Sequence, residues 1–399
     1  MTPAARVSAA IECLDLIADA ARAGGAAADT VVARYFGTRR YAGSKDRRAV
    51  RDLVFDVVRS IGDCPASGRG ALIGFARARA PDLLALFGSG GHAPAALVAG
   101  EPESTLSAAP AWLLDKLRAR AGADTPRQAA ALLGRAPLDL RVNTLRARRE
   151  DVVIDGAVPT AFAPAGLRLT TPLAVEALPA FHAGLIEIQD EGSQLAVAAA
   201  GAAPGMTVVD LCAGAGGKTL ALAAAMANAG RLVATDTDRG RLGRMDPRLQ
   251  RAGVTIVERR LLDPGHEAGQ LSDLTHAADL VVIDAPCSGT GTWRRNPEAR
   301  WRLTPTRLER LVAAQARLLE LGAALVCPGG TLLYIVCSLL PDEGDAPVAD
   351  FLARHPEFAP QPFADPFADP INGAPVATLV TTPADHGCDG FTIARLTRL

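Results

Sequence analysis

The 399-residue chain has almost no net charge, with 42 Lys and Arg against 43 Asp and Glu, and only three lysines, Lys45, Lys116 and Lys218. A near-neutral balance ordinarily argues against a protein that binds a polyanion. Scarce lysine beside abundant Ala and Arg is a bias that a GC-rich genome imposes, so arginine content alone says little about function. No apolar run approaches the roughly 20 residues that span a bilayer; Ala221 to Ala227 is among the longest. Near the N-terminus Glu12, Asp15 and Asp19 interrupt the apolar residues on a helical pattern, unlike a secretory leader. A cytoplasmic location without membrane contact is expected. The seven cysteines (13, 64, 212, 287, 327, 337 and 388) are odd in number, and no two lie two to four residues apart. Free thiols are expected, without a disulfide framework or a structural zinc site. His266, His276, His355 and His386 form no ligand spacing either, so no metal is expected.

What is present is an ordinary globular composition, 49% hydrophobic and 21% charged, which excludes a disordered or fibrous chain. At roughly 150 residues per domain the length allows two or three domains. The neutrality is also only an average. Positions 1–150 hold 22 basic and 15 acidic residues (+7), and positions 151–399 hold 20 and 28 (−8).

From Ala5 to about Ala99 apolar residues recur three and four apart, as in Ile11 to Ile17 and Val50 to Val58, which predicts a helical unit. Ser44 is a candidate N-cap ahead of Lys45-Asp-Arg-Arg48. Gly- and Pro-rich stretches at 88–92 and 100–105 place a boundary near residue 100. Pro110 to Arg120 and Thr125 to Leu133 are predicted helices. Leu138 to Leu145 alternates like a half-buried strand, putting Arg141 and Asn143 on one face that is either plain polar surface or an RNA contact. After Ile186, strands alternate with amphipathic helices, the pattern of a doubly wound α/β sheet. The strand candidates are Thr207 to Leu211, Arg231 to Thr235, Thr255 to Glu258, Leu280 to Ile283, Thr331 to Val336 and Phe391 to Leu396.

The first of these strands ends in Asp210-Leu-Cys212-Ala213-Gly214-Ala215-Gly216-Gly217-Lys218-Thr219. Glycines between a strand and a helix let backbone amides approach a nucleotide-like ligand. The spacing matches neither the dinucleotide nor the triphosphate fingerprint. Asp236, about 20 residues on, is placed for ribose hydroxyls; Asp238 is a ligand group or a helix N-cap, and Asp263 follows the third strand. The fourth strand ends in Asp284-Ala-Pro-Cys287-Ser-Gly-Thr-Gly291 and the fifth in Tyr334-Ile-Val-Cys337-Ser338. Either cysteine alone reads as a small core residue. Two at neighbouring strand tips on the ligand edge point to a cysteine nucleophile.

These motifs resemble those of the RNA cytosine-C5 methyltransferases of the Sun/Fmu and nucleolar-protein group. Further similar stretches are Leu140-Arg-Val-Asn143, Ile188-Gln-Asp-Glu-Gly-Ser-Gln194, Cys337-Ser-Leu-Leu-Pro-Asp-Glu-Gly344 and Asp389-Gly-Phe-Thr-Ile-Ala-Arg395. The resemblance implies a class I S-adenosylmethionine-dependent methyltransferase domain, Rossmann-like with a mostly parallel sheet, at 186–399. Ahead of it would lie a helical domain at 1–100, like that of the antitermination factor NusB, and a small α+β linking domain at 101–185. It implies that Cys337 adds to C6 of the target cytosine, that Cys287 assists release of the product, and that Asp284 holds the ring. Cys212 to Lys218, Asp236, Asp263 and Asp284 would line S-adenosylmethionine. The substrate implied is RNA, 16S rRNA in first place, bound by a monomer; tRNA methylation or a non-catalytic assembly role are the alternatives. The chain departs from the family pattern in two places. Gly214-Ala215 replace Ala-Pro in the loop, making it less rigid, and Val336 replaces Thr but keeps a β-branched strand residue. Finally, Thr292-Trp-Arg294-Arg295-Asn-Pro-Glu-Ala-Arg300-Trp-Arg302 interleaves cations with aromatics. It is either an RNA-binding strip or a solvated arginine-rich surface; the resemblance favours RNA, with Arg294, Arg295 and Arg300 as contacts alongside Arg141 and Asn143.

Overall fold

In the computed structural model, which describes residues 1–368 and 373–399, the N-terminal helices follow the apolar periodicity: α1 (Pro3–Arg22), α2 (Ala28–Gly37), α3 (Ser44–Ser60) and α4 (Gly68–Arg79). Thr2 caps α1 by accepting a hydrogen bond from the Ala5 amide. Ser44 is the first residue of α3, not its cap; Gly43 holds that position without a side-chain bond. The buried faces of these helices, including Leu14, Ile17, Val54, Val58, Leu72 and Ile73, share one core. Trp301, far away in sequence, is part of it. Two further helices follow, α5 (Ala111–Ala121) and α6 (Thr125–Ala131).

By packing, the chain forms two units, Met1–Arg135 with Ser288–Arg307, and Ala136–Cys287 with Leu308–Leu399. This grouping differs from expected breaks at residues 100 and 185. The Arg-Trp segment belongs with the helices, because its side chains complete their core and their termini. The small sheet belongs with the larger one, through polar side chains between them such as Asn143, which bonds the Ala252 carbonyl.

The second unit contains an antiparallel sheet of β1 (Leu138–Val142), β2 (Ala157–Pro159), β3 (Gly166–Leu169) and β4 (Ile186–Ile188), in the order β2-β3-β1-β4. The larger sheet is built from β5 (Thr207–Asp210), β6 (Arg231–Asp236), β7 (Val257–Leu261), β8 (Ala278–Asp284), β9 (Val326–Val336), β10 (Phe358–Pro360), β11 (Thr378–Thr381) and β12 (Phe391–Arg398). Its order is β10-β12-β9-β8-β5-β6-β7, with β11 beside β12. Strands β5 to β9 run parallel and β12 antiparallel to β9. The expected strands are all present, with shifted ends; the third starts at Val257 and not at Thr255. From β5 the chain moves outward through β6 and β7, then returns to the other side of β5 as β8. The carboxyl ends of β5 and β8 therefore border the crevice where such sheets take ligands.

Candidate functional site

At the tip of β5 the chain turns through Gly214 (φ 56°) and Gly216 (φ 85°) before the helix Gly217–Ala225. Gly216 is obligatory: a Cβ there would lie 2.6 Å from Cγ of Met245. No side chain caps this helix, so its first amides are available to a ligand at the sheet edge. Asp236 Oδ2 accepts from the Gly214 amide (2.8 Å) and Oδ1 from the Asp238 amide (2.7 Å). Asp238 caps the next helix through the Arg241 amide, the structural one of its two readings. Asp263 is exposed beyond β7 and accepts from Gln270. Burial pushes the Cys212 thiol well above its ordinary range, so it stays protonated.

Strands β8 and β9 pair in parallel with Asp284 opposite Ile335, and this register brings the two cysteine loops together. Cys287 Sγ and Cys337 Sγ are 3.3 Å apart, as free thiols. Lys218 Nζ donates to Asp284 Oδ2 (2.6 Å). Burial alone would lower the Lys218 ammonium, but the Asp284 carboxylate beside it lifts it above the usual value. A buried network joins the loops from behind. Gln315 Nε2 donates to the Pro286 carbonyl (3.0 Å) and to Glu343 Oε1 (3.1 Å), while Ser338 Oγ donates to Glu343 Oε2 (2.5 Å). Tyr334 Oη donates to the Glu343 carbonyl (2.7 Å). Glu343 lies within the stretch Cys337 to Gly344, where nothing local marks it as a brace for the loops. Gln315 carries no sequence signal, because only the helix Pro305–Leu325 places it here.

Asp210 is fully buried and accepts from the Thr219 hydroxyl. Burial raises its carboxyl from 3.8 to about 7, against the opposing pull of the Thr219 hydroxyl. Since the folded value exceeds the unfolded one, the stability this group contributes is complete at pH below the unfolded value and withdrawn as pH rises toward 7, by about 1.4 kcal/mol per pH unit. Between pH 5 and 7 the wild-type Tm should fall more steeply than that of Asp210→Asn. Parallel Tm profiles would refute the shift.

Most of the expected RNA-contact residues lie elsewhere than on a surface. Arg141 is 6% exposed, its Nε donating to Gln189 Oε1 (2.6 Å), and burial pulls it down to about 10. Asn143 is buried and bonds the carbonyls of Gly184 and Ala252. The polar face of β1 is thus a seam between layers. Arg294, Trp293 and Trp301 are buried, and Arg295 is half-buried. Arg300 is 1% exposed and donates to the carbonyls of Val58, near the end of α3, and Ala108; burial pulls it to about 10. Glu298 accepts from the Ala28 amide at the start of α2 (3.0 Å). The strip read as RNA-facing instead satisfies helix ends, a carboxylate at an N-terminus and a guanidinium at a C-terminus.

A parallel sheet that reverses at β5 and β8, with a glycine loop on one strand tip and an acid and thiols on the neighbouring tips, defines a class I, Rossmann-like methyltransferase fold. Residues 200–397 match the family 16S rRNA methyltransferase RsmB/F, and residues 109–176 match the ferredoxin-like domain of RsmF/B-like methyltransferases. The probable ribosomal RNA small subunit methyltransferase B of Synechocystis sp. is 35% identical over 301 residues, 72% of this chain and 66% of that protein. Ribosomal RNA small subunit methyltransferase B of Sodalis glossinidius is 33% identical over 313 residues, 76% of this chain and 69% of that one. The crystal structure of PH0851 superposes with a TM-score of 0.73 at 25% identity, covering 100% of this chain and 99% of that one. The chain belongs to the RsmB/F methyltransferase family. It spans about two thirds of the length of the curated relatives it matches.

Proposed function

We propose that the chain methylates C5 of a cytosine in RNA, 16S rRNA in first place, using S-adenosylmethionine. The observation that carries this reading is the pair of thiols 3.3 Å apart beside the Lys218–Asp284 ion pair at the ligand edge of the sheet. The residues present suit the cofactor: Gly214, Gly216 and the uncapped helix start admit close backbone approach, and Asp236 ends β6 where ribose hydroxyls would lie. Cys212 to Lys218, Asp236, Asp263 and Asp284 are the residues assigned to hold it. When bound it supplies the methyl group.

The protein's own part is covalent. The Cys337 thiolate adds to C6 of an unstacked cytosine, and the C5–C6 π electrons shift into the ring, making C5 nucleophilic. Asp284, held by Lys218, hydrogen-bonds the ring, and the Lys218 ammonium beside it offsets the negative charge the adduct gains. After C5 is methylated, Cys287 assists removal of the C5 proton; the C5–C6 double bond re-forms and Cys337 leaves. The helical unit with its inserted segment carries 23 basic and 14 acidic residues, against 19 and 29 in the other unit, which supports RNA docking on the first. Among the described residues no helix is long and apolar enough to cross a membrane, and no cluster of metal ligands is found.

Bisulfite sequencing of 16S rRNA and tRNA after incubation with the purified protein and S-adenosylmethionine tests the reading. A protected cytosine in 16S rRNA is expected. Protection only in tRNA would reassign the substrate, and none in either, with cofactor bound, would overturn the activity.

A further inference from the structure

Ala215, in the cofactor loop, carries no ring that would fix its backbone, as a proline would. A guanidinium occupies the turn in another way. Arg248, on the helix Met245–Ala252, donates Nη1 to the Ala215 carbonyl (2.6 Å) and Nη2 to Glu187 Oε2 (3.0 Å). Glu187, on β4, is buried, and its Oε1 accepts from Arg251, whose guanidinium lies 4.0 Å from the Phe181 ring centroid. Met245, on the same helix as Arg248, fills the space beside Gly216. One short helix therefore grips two consecutive loop residues, and its cation is anchored in turn to the small sheet. Charge-assisted bonds in a partly buried setting are the stronger kind.

We propose that Arg248 is a positioning residue for the cofactor loop, fixing the Ala215 carbonyl by a side-chain strut to Glu187. This rests on the reading of that loop as the S-adenosylmethionine site. It also ties β4, in the small sheet, to the cofactor loop, so that a disturbance of β4 reaches the loop through one guanidinium.

The test compares four proteins: wild type, Arg248→Ala, the loop replacement Ala215→Pro, and the two substitutions combined. Two readouts are used: titration with S-adenosylmethionine alone, and amide hydrogen exchange of residues 213–217 in the cofactor-free protein. In the native loop, Arg248→Ala should weaken cofactor binding by about 10- to 100-fold, the scale of a lost hydrogen bond to a charged group, and speed exchange. In the proline loop the same substitution should change binding by less than about threefold and leave exchange slow, because the ring does the strut's work. Equal losses in both loops, or unchanged binding and exchange in the native loop, would overturn the proposal. If wild type bound no cofactor, the functional reading would fail, while exchange would still decide whether Arg248 orders the loop.

Discussion

Cys337→Ala is expected to abolish methylation while leaving S-adenosylmethionine affinity and Tm close to wild type. The reason is electronic. C5 of a conjugated cytosine is a poor nucleophile, and the shortest route to activating it is a covalent bond at C6, which breaks the ring's conjugation. A thiolate at the tip of β9 can form that bond, and alanine cannot. Removing a covalent nucleophile lowers turnover by more than about a thousandfold, so single-turnover methyl transfer should fall to background. Folding should survive, because Cys337 sits at the rim of the core, half-buried, and losing one sulfur there leaves little cavity. Full activity in Cys337→Ala would show that Cys337 is not the nucleophile. The second thiol separates addition from release. Cys287→Ala should accumulate a protein–RNA adduct that survives denaturing electrophoresis, and the band should vanish in Cys287→Ala/Cys337→Ala. A band that persisted in the double variant would place the bond on another side chain.

The placement of this thiol pair was legible in the sequence because strand ends can be read from apolar runs. Asp284, Cys287 and Cys337 each close such a run, and the parallel pairing of β8 with β9 juxtaposes them. The glycine loop was legible for the same reason. What holds the site together was not. Gln315 and Glu343 act across 28 residues of sequence and Arg248 across 33 and 61, and no local periodicity records such pairs. The Arg-Trp strip misled for a different reason. A run of cations and aromatics has one sequence whether it meets a phosphate backbone, faces solvent or caps helices, and only the position of α2 and α3 decides. Arg141 and Asn143 show the same ambiguity, since strand alternation says which residues share a face but not whether a layer covers it.

Trp301→Ala is expected to unfold the helical unit selectively. Trp301 is 5% exposed within the core of α1, α3 and α4, and its Nε1 donates to the Ile61 carbonyl just past the end of α3 (2.8 Å). Truncating a buried tryptophan costs about 3–5 kcal/mol through lost transfer energy and the cavity left behind, and here it also strands a backbone acceptor. Total domain stability is about 5–15 kcal/mol, so calorimetry should show an early transition absent from wild type. Trp301→Phe retains most of the packing and should move that transition much less. A single transition at the wild-type Tm in Trp301→Ala would mean that segment 288–307 is dispensable to the helices. The same packing rules out deletion of residues 1–100 as a test of RNA docking, because it would uncover Trp301, Arg300 and Glu298 together and report unfolding. The proposed docking is better read from Arg40, Lys45 and Arg48, which are exposed, as is Tyr41 at 73%. Replacing these three cations with glutamine should leave Tm unchanged and make the dependence of RNA affinity on salt shallower, by up to about one logarithmic unit for each phosphate that is no longer neutralised. An unchanged salt slope would move the docking surface to another face of the unit.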